Sequence, residues 1–99
     1  MAPTAWRSDM RLSGKSALIT GAARGIGATF AKAYAGEGAR VAIGDIDIAR
    51  AEETAASIGD LAYAVRLDVT DQGSIDSAIA EVAEKAGGLD ILVNNAAVF

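Results

Sequence analysis

The chain has 99 residues, of which 52% are hydrophobic, and this composition predicts one small domain with a packed core. Its formal net charge is -4 and its nine Lys and Arg residues form no basic run, which argues against binding to nucleic acid or to an anionic membrane surface. The absence of cysteine and histidine excludes disulfides, Cys/His zinc sites and Ser-His or Cys-His catalytic relays within these residues.

The first ten residues contain no apolar segment of the kind found in signal peptides, and we expect residues 1–10 to form a flexible leader. No later apolar run approaches the roughly 20 residues that span a bilayer. The sequence therefore predicts a cytoplasmic protein in which residues 11–99 form one structural unit.

Four short apolar runs are bounded by glycine or polar residues, a pattern typical of strands buried in a parallel sheet. They lie at residues 16–20, 40–44, 62–67 and 91–93. Each run is too short for a helix of ordinary length, so we predict four strands.

Three segments between these strands have apolar residues at helical spacing. The first covers residues 25 to about 35. It should bury one shared face, formed by Ile26, Phe30, Ala33 and Tyr34. The second lies between Asp47 as its N-cap and Gly59 as its C-cap, and the third starts at Thr70 or Asp71.

This alternation of strands and helices predicts an α/β fold. Right-handed helical crossovers give a doubly wound parallel sheet with helices on both faces. We expect the strand order 3-2-1-4. Sheets of this Rossmann type have about six strands, so we expect this chain to be an incomplete, N-terminal part of such a domain.

A glycine-rich turn joins the first strand to the first helix. The run 20–27 reads Thr-Gly-Ala-Ala-Arg-Gly-Ile-Gly, with glycines at Gly21, Gly25 and Gly27. Glycines here permit a tight turn and a close approach of the backbone to a ligand, and the helix N-terminus favours negative charge. The turn is therefore a candidate site for dinucleotide phosphates, while the alternative is an ordinary connection whose glycines serve packing alone.

Asp45 closes the second strand, where a carboxylate can accept hydrogen bonds from the adenosine ribose hydroxyls. Its charge should disfavour a 2'-phosphate, so NAD is predicted over NADP. Arg24, in the glycine turn, could meet a phosphate or lie in solvent. The alternative role for Asp45 is that of a turn or capping aspartate.

Polar residues also follow the third and fourth strands. Asp68 could accept a hydrogen bond from the adenine amine while Val69 packs on the ring, or Asp68 could bond the backbone of its own turn. Helix capping explains Asp71 better than a metal site does, so no metal is predicted. After the fourth strand, Asn95 could pin neighbouring strand ends and the small Ala96 could let a cofactor approach, or the segment could be a simple turn.

These four motifs, in this order, resemble those of the short-chain dehydrogenase/reductase family over residues 11–99. The resemblance assigns cofactor binding to one set of residues: Gly21, Arg24, Gly25, Ile26, Gly27, Asp45, Asp68, Val69, Asn95 and Ala96. The family usually has glycine where this chain has Ala97, a change of one methyl group. The run from Leu92 to Phe99 looks most like that of bacterial polyol dehydrogenases of the sorbitol or galactitol type.

The resemblance implies an NAD-dependent oxidoreductase that interconverts an alcohol or polyol and its carbonyl compound, in a full-length protein that is a homo-oligomer. The catalytic serine, tyrosine and lysine of the family follow the fourth strand, and neither Tyr34 nor Tyr63 has a lysine at the family's Y-x3-K spacing. The 99-residue chain alone is therefore predicted to be inactive. The alternatives are a non-catalytic module that binds or senses a nucleotide, and a folding fragment without a function of its own.

Overall fold

The computed structural model describes residues 11–95, so the predicted leader and Ala96 lie outside the described residues. Four strands form one parallel sheet: β1 (Ser16–Thr20), β2 (Arg40–Asp45), β3 (Ala62–Arg66) and β4 (Ile91–Val93). The sheet order is β3-β2-β1-β4, which confirms the predicted topology. Three helices connect the strands: α1 (Gly25–Gly36), α2 (Ile48–Ile58) and α3 (Gln72–Ala86).

The register of the sheet brings the carboxyl ends of the strands to one edge. Ile19 of β1 is opposite Ile43 of β2 on one side and Val93 of β4 on the other. Asp45 at the end of β2 is opposite Arg66 at the end of β3. The segments that follow the four strands therefore begin beside one another, at the edge where ligands bind in open α/β sheets.

The side chains of the central strands alternate between two cores. Ile19 and Ile43 are buried on the face covered by α1 and α2, together with Ala51. Leu18 and Val65 are buried on the opposite face. That face is covered by α3, which contributes its buried residues Ala78 and Val82. All five residues of β1 are buried, as expected of a strand that is covered on both faces.

The predicted helix caps are confirmed where the sequence named them. Asp47 is the N-cap of α2, and its Oδ1 accepts from the N–H of Arg50 at 3.1 Å. Asp71 is the N-cap of α3, where its Oδ1 accepts from the N–H of Gly73 at 2.9 Å. Gly59 is the C-cap of α2 and has a φ of 123°.

The predicted buried face of α1 is wrong for three of its four residues, because Ala33 is exposed along with Ile26 and Phe30, and only Tyr34 packs against the core. Ile26 is 68% exposed and Phe30 is 41% exposed, whereas Gly27 and Ala31 are the buried residues of this helix. The first turn of α1 lies too close to the glycine turn to admit a side chain at Gly27, whereas the large Tyr34 packs against the core farther along the helix. Helical spacing identifies the period of a face, but the close approach decides which side of the helix is buried.

Among residues 11–95, no helix combines the length and the apolar character that crossing a membrane requires. The longest helix, α3, has 15 residues and carries polar side chains along much of its length.

Ile43→Ala should lower the free energy of unfolding by about 2–5 kcal/mol, because Ile43 is fully buried between the sheet and the two helices. Ile46→Ala is the matched control, since Ile46 is 57% exposed and its truncation should change stability by less than about 0.5 kcal/mol. Urea unfolding followed by circular dichroism measures both values. Equal losses for the two variants would contradict the assigned core.

Candidate functional site

The glycine turn has the backbone geometry that its sequence indicates. Gly21 and Gly25 have φ values of 64° and 65°, in the left-handed region that residues with a Cβ rarely adopt. The N–H of Ala22 donates to the carbonyl of Gly44 at 3.2 Å, which connects the turn to β2. The chain thus leaves β1, bends beside β2 and enters α1 within a few residues.

Gly27 lies where a side chain cannot fit. A Cβ at this position would be 2.5 Å from the carbonyl oxygen of Gly21, 2.7 Å from Nδ2 of Asn95 and 2.9 Å from the Cα of Ala22. The first turn of α1 therefore packs directly on the glycine turn and on the segment after β4.

The N-terminus of α1 differs from those of the other two helices. Its N-cap residue, Arg24, makes no capping hydrogen bond with its side chain, and the first turn contains no acidic residue. The N-termini of α2 and α3 are each capped by an aspartate. The first N–H groups of α1, with the positive end of the helix dipole, are thus suited to an anionic ligand such as a pyrophosphate.

Asp45 holds the glycine turn against the end of β2. Its Oδ2 accepts from the N–H of Ala23 at 3.1 Å and its Oδ1 accepts from the N–H of Asp47 at 3.0 Å. This is the local role that the sequence left as an alternative. Each carboxylate oxygen can accept a second hydrogen bond, so the same arrangement leaves acceptor capacity for ribose hydroxyls.

Arg24 is paired with an acidic residue that sequence reasoning assigned to capping alone. Nη2 of Arg24 lies 3.0 Å from Oδ2 of Asp47. The side chain of Arg24 is thus directed toward the N-terminus of α2. The motif offered no signal for this pair, because the two residues belong to different elements.

Asn95 joins β4 to the glycine turn. Its N–H donates to Oγ1 of Thr20 at 2.9 Å, and its Nδ2 donates to the carbonyl of Gly21 at 3.3 Å. Oγ1 of Thr20 also donates to the carbonyl of Val93 at 3.4 Å. Sequence reasoning did not assign a role to Thr20, although its place at the start of the glycine motif was a signal that could have identified it.

Asp68 makes hydrogen bonds within its own turn. Its Oδ1 accepts from the N–H of Thr70 at 3.0 Å and from the hydroxyl of Thr70 at 2.6 Å. These two hydrogen bonds, the hydroxyl first, lower the pKa of the Asp68 carboxyl below its ordinary value. The contacts of Asp68 therefore match the local turn that the sequence left as an alternative, and they hold the carboxylate ionised beside the binding edge.

Val69 lines an apolar pocket of about 150 Å³ beside the carboxyl edge of the sheet, on the face covered by α3. The other lining residues come from β1, the segment after β3, α3 and the β4 region: Leu18, Thr20, Leu67, Ile75, Ile79, Leu92 and Asn94. Sequence reasoning missed this pocket, because its walls come from four separate segments. Val69 thus lies where an apolar ring could pack, whereas Asp68 is directed to Thr70.

The fold and the glycine turn together define an α/β protein of the dinucleotide-binding class. The family model described as short chain dehydrogenase matches residues 15–99. Since this match covers most of the chain, the chain belongs to the short-chain dehydrogenase family, as the motifs indicated.

Two curated relatives are similar over nearly the whole chain. The sorbitol dehydrogenase of Cereibacter sphaeroides is 63% identical over 90 residues, which cover 91% of this chain and 35% of the relative. The galactitol 2-dehydrogenase of Agrobacterium fabrum is 64% identical over 90 residues, with the same two coverages of 91% and 35%. The chain thus spans about a third of the length of these relatives.

A solved structure supports the fold assignment. The 3-ketoacyl-(acyl-carrier-protein) reductase from Brucella melitensis, complexed with NADH, matches with a TM-score of 0.85 and 48% sequence identity. The match covers 88% of this chain and 36% of that protein.

Gly27→Ala should destabilise the protein by about 1–3 kcal/mol, because the new methyl group would overlap backbone atoms of the glycine turn. The matched control is Gly36→Ala at the other end of α1, where an added Cβ meets nothing within 4 Å. This control should be neutral, or more stable by at most about 1 kcal/mol. Thermal unfolding of both variants checks the prediction, and a fully stable Gly27→Ala protein would count against the packing described here.

Thr70→Val should raise the pKa of Asp68 toward its ordinary value, because the hydroxyl is the largest cause of the lowered pKa. A carboxyl whose folded pKa is the lower one stabilises the fold above its unfolded pKa of about 4. That contribution is lost as the pH falls through the folded pKa. NMR titration of the Asp68 carboxyl measures the change, and an unaltered pKa would show that the backbone N–H suffices.

Proposed function

We propose that this chain is the NAD-binding part of a short-chain dehydrogenase that interconverts an alcohol or polyol and its carbonyl compound. One observation carries the proposal: the glycine turn is held between Asp45 on one side and Asn95 on the other, at the carboxyl edge of the sheet. Each residue is anchored to backbone atoms of the turn. The turn is thereby preorganised for a ligand before one arrives.

The residues present fit a dinucleotide. The absent side chain of Gly27 lets α1 approach the glycine turn closely, and the N–H groups at the N-terminus of α1 can donate to phosphate oxygens. Asp45 can accept from the ribose hydroxyls, and the wall of the pocket at Val69 can pack against the adenine ring. When bound, nicotinamide supplies the hydride acceptor or donor.

The preference for NAD over NADP follows from the charge of Asp45. A carboxylate at the end of β2 repels a second negative group on the ribose and accepts hydrogen bonds from free hydroxyls. The similar reductase from Brucella melitensis was solved with NADH, which supports a nicotinamide cofactor in this protein.

The substrate proposal depends on the relatives. Both the sorbitol and the galactitol dehydrogenase act on sugar alcohols, according to their names, and each is more than 60% identical to this chain. We place the proton-transferring serine, tyrosine and lysine in sequence that follows residue 99, so the 99 residues alone should bind cofactor and not catalyse the reaction. We further propose that the full-length enzyme is a homo-oligomer, as the family resemblance implies, and that it is cytoplasmic.

Asp45→Ala in the full-length enzyme should weaken NAD binding by about 1–3 kcal/mol, because a charge-assisted hydrogen bond to the ribose is lost. It should also reduce the discrimination against NADP, since the repelling charge is gone. Isothermal titration calorimetry with both dinucleotides measures the two effects.

Asp45→Asn removes the charge and keeps the contact to the glycine turn, because its single amide oxygen can still accept from the N–H of Ala23, while the contact to the N–H of Asp47 is lost. This variant should relax the discrimination against NADP, and it should lower the free energy of unfolding less than Asp45→Ala does. Asp60→Asn is the control for net charge, since Asp60 precedes β3 at the opposite edge of the sheet. Unchanged affinity for both cofactors in the Asp45 variants would disprove the assignment.

A further inference from the structure

Arg24 is a cation beside the candidate ribose site, and its charge is already paired. It follows Ala23, whose N–H is bound by Asp45, so its side chain starts next to the carboxylate that selects for free ribose hydroxyls. Its Nη2 donates to Oδ2 of Asp47 at 3.0 Å. The side chains of the pair are 63% and 45% exposed, so water and ligands can reach both of them.

Asp47 is held in place more firmly than an ordinary surface residue. Its Oδ1 accepts from the N–H of Arg50 at 3.1 Å, and its own N–H donates to Oδ1 of Asp45 at 3.0 Å. The first contact fixes one carboxylate oxygen of Asp47 on the helix N-terminus, and the second holds the backbone of Asp47 against Asp45. The other oxygen, Oδ2, is left directed at Arg24, so the pair requires little further ordering of Asp47.

The chemistry of a guanidinium near a ribose points to the 2'-phosphate. NADP differs from NAD by one phosphate group on the ribose, and an arginine nearby is how dinucleotide sites accommodate that group. The planar guanidinium matches phosphate oxygens through two parallel hydrogen bonds. An arginine in this position would therefore favour NADP and oppose the preference for NAD that Asp45 imposes, unless another group bound the guanidinium.

We propose that Asp47 is a second residue that determines cofactor specificity, because it binds Arg24 and withholds this cation from the 2'-phosphate of NADP. The inference rests on the proposed function, since it concerns the same dinucleotide site. Asp45 rejects the phosphate by repulsion, and Asp47 removes the attraction that would offset this repulsion. Capping of α2 requires only one carboxylate oxygen of Asp47 and does not require a contact with Arg24.

The test uses Asp47→Asn in the full-length enzyme. Asparagine caps helices about as well as aspartate, so the start of α2 is kept while the negative charge that holds Arg24 is removed. The ratio of NADP affinity to NAD affinity should rise about two- to fivefold, the effect expected of one exposed charge pair. Dissociation constants for both dinucleotides, measured by calorimetry, give this ratio.

A double-mutant cycle with Arg24→Gln identifies the mechanism. If Asp47 acts through Arg24, Asp47→Asn should leave the ratio unchanged in the Arg24→Gln background. An equal rise in both backgrounds would overturn the proposal, because it would show that the charge of Asp47 acts directly on the phosphate. Asp60→Asn makes the same change in net charge at the far edge of the sheet and should leave the ratio as it is in the unaltered enzyme.

Failure of the inference and failure of the proposed function give different results. An unaltered enzyme that binds NAD, together with an unchanged ratio in Asp47→Asn, would overturn the role of Asp47 and leave the function standing. An unaltered enzyme that binds neither dinucleotide would overturn both. Thermal unfolding shows whether Asp47→Asn is destabilised. In that case Arg24→Gln by itself tests the prediction. Arg24→Gln should not lower the affinity for NADP, because in the unaltered enzyme Arg24 is bound to Asp47 and does not contact the 2'-phosphate.

Discussion

The close approach of α1 to the glycine turn is the constraint on which the candidate site depends. It is possible because Gly27 has no side chain to separate the helix from the carbonyl of Gly21 and the amide of Asn95. The approach brings the N–H groups of the first helical turn to the carboxyl edge of the sheet. The buried side of α1 carries Gly27 and Ala31, while Ile26 is exposed. The lack of a side chain at Gly27 thus allows the first turn of α1 to lie at the candidate site.

The polar residues at the strand ends combine a structural and a chemical role. Asp45 and Asn95 hold the glycine turn from two sides through backbone atoms, and both keep atoms with the capacity to bind a ligand. Because these hydrogen bonds to the glycine turn form without a ligand, the site is rigid before a cofactor is present. It also means that the local role, which the sequence left as an alternative for Asp45, does not exclude the binding role. In the same way, Asp47 caps α2 with one oxygen and holds Arg24 with the other.

Much of the fold could be predicted because its causes act within a few residues. Short apolar runs bounded by glycine or polar residues predicted β1 to β4, and Asp47 and Gly59 marked the ends of α2. The rule that crossovers are right-handed predicted a parallel sheet with helices on both faces, and the strand order expected of a Rossmann-type sheet is the one observed. The prediction failed for the buried face of α1, since the pattern of Ile26 and Phe30 carries no information about how closely the helix approaches the sheet.

The amino-acid sequence alone was enough for the type and order of the elements, the position of the glycine turn and the family, because periodicity and motif spacing are properties of the local chain. The tertiary structure alone decided which partners meet: Ala23 with Asp45, Arg24 with Asp47 and Asn95 with Gly21. Each of these contacts joins segments that are far apart in the chain. They depend on the register of the sheet and on the approach of α1, which no single segment encodes.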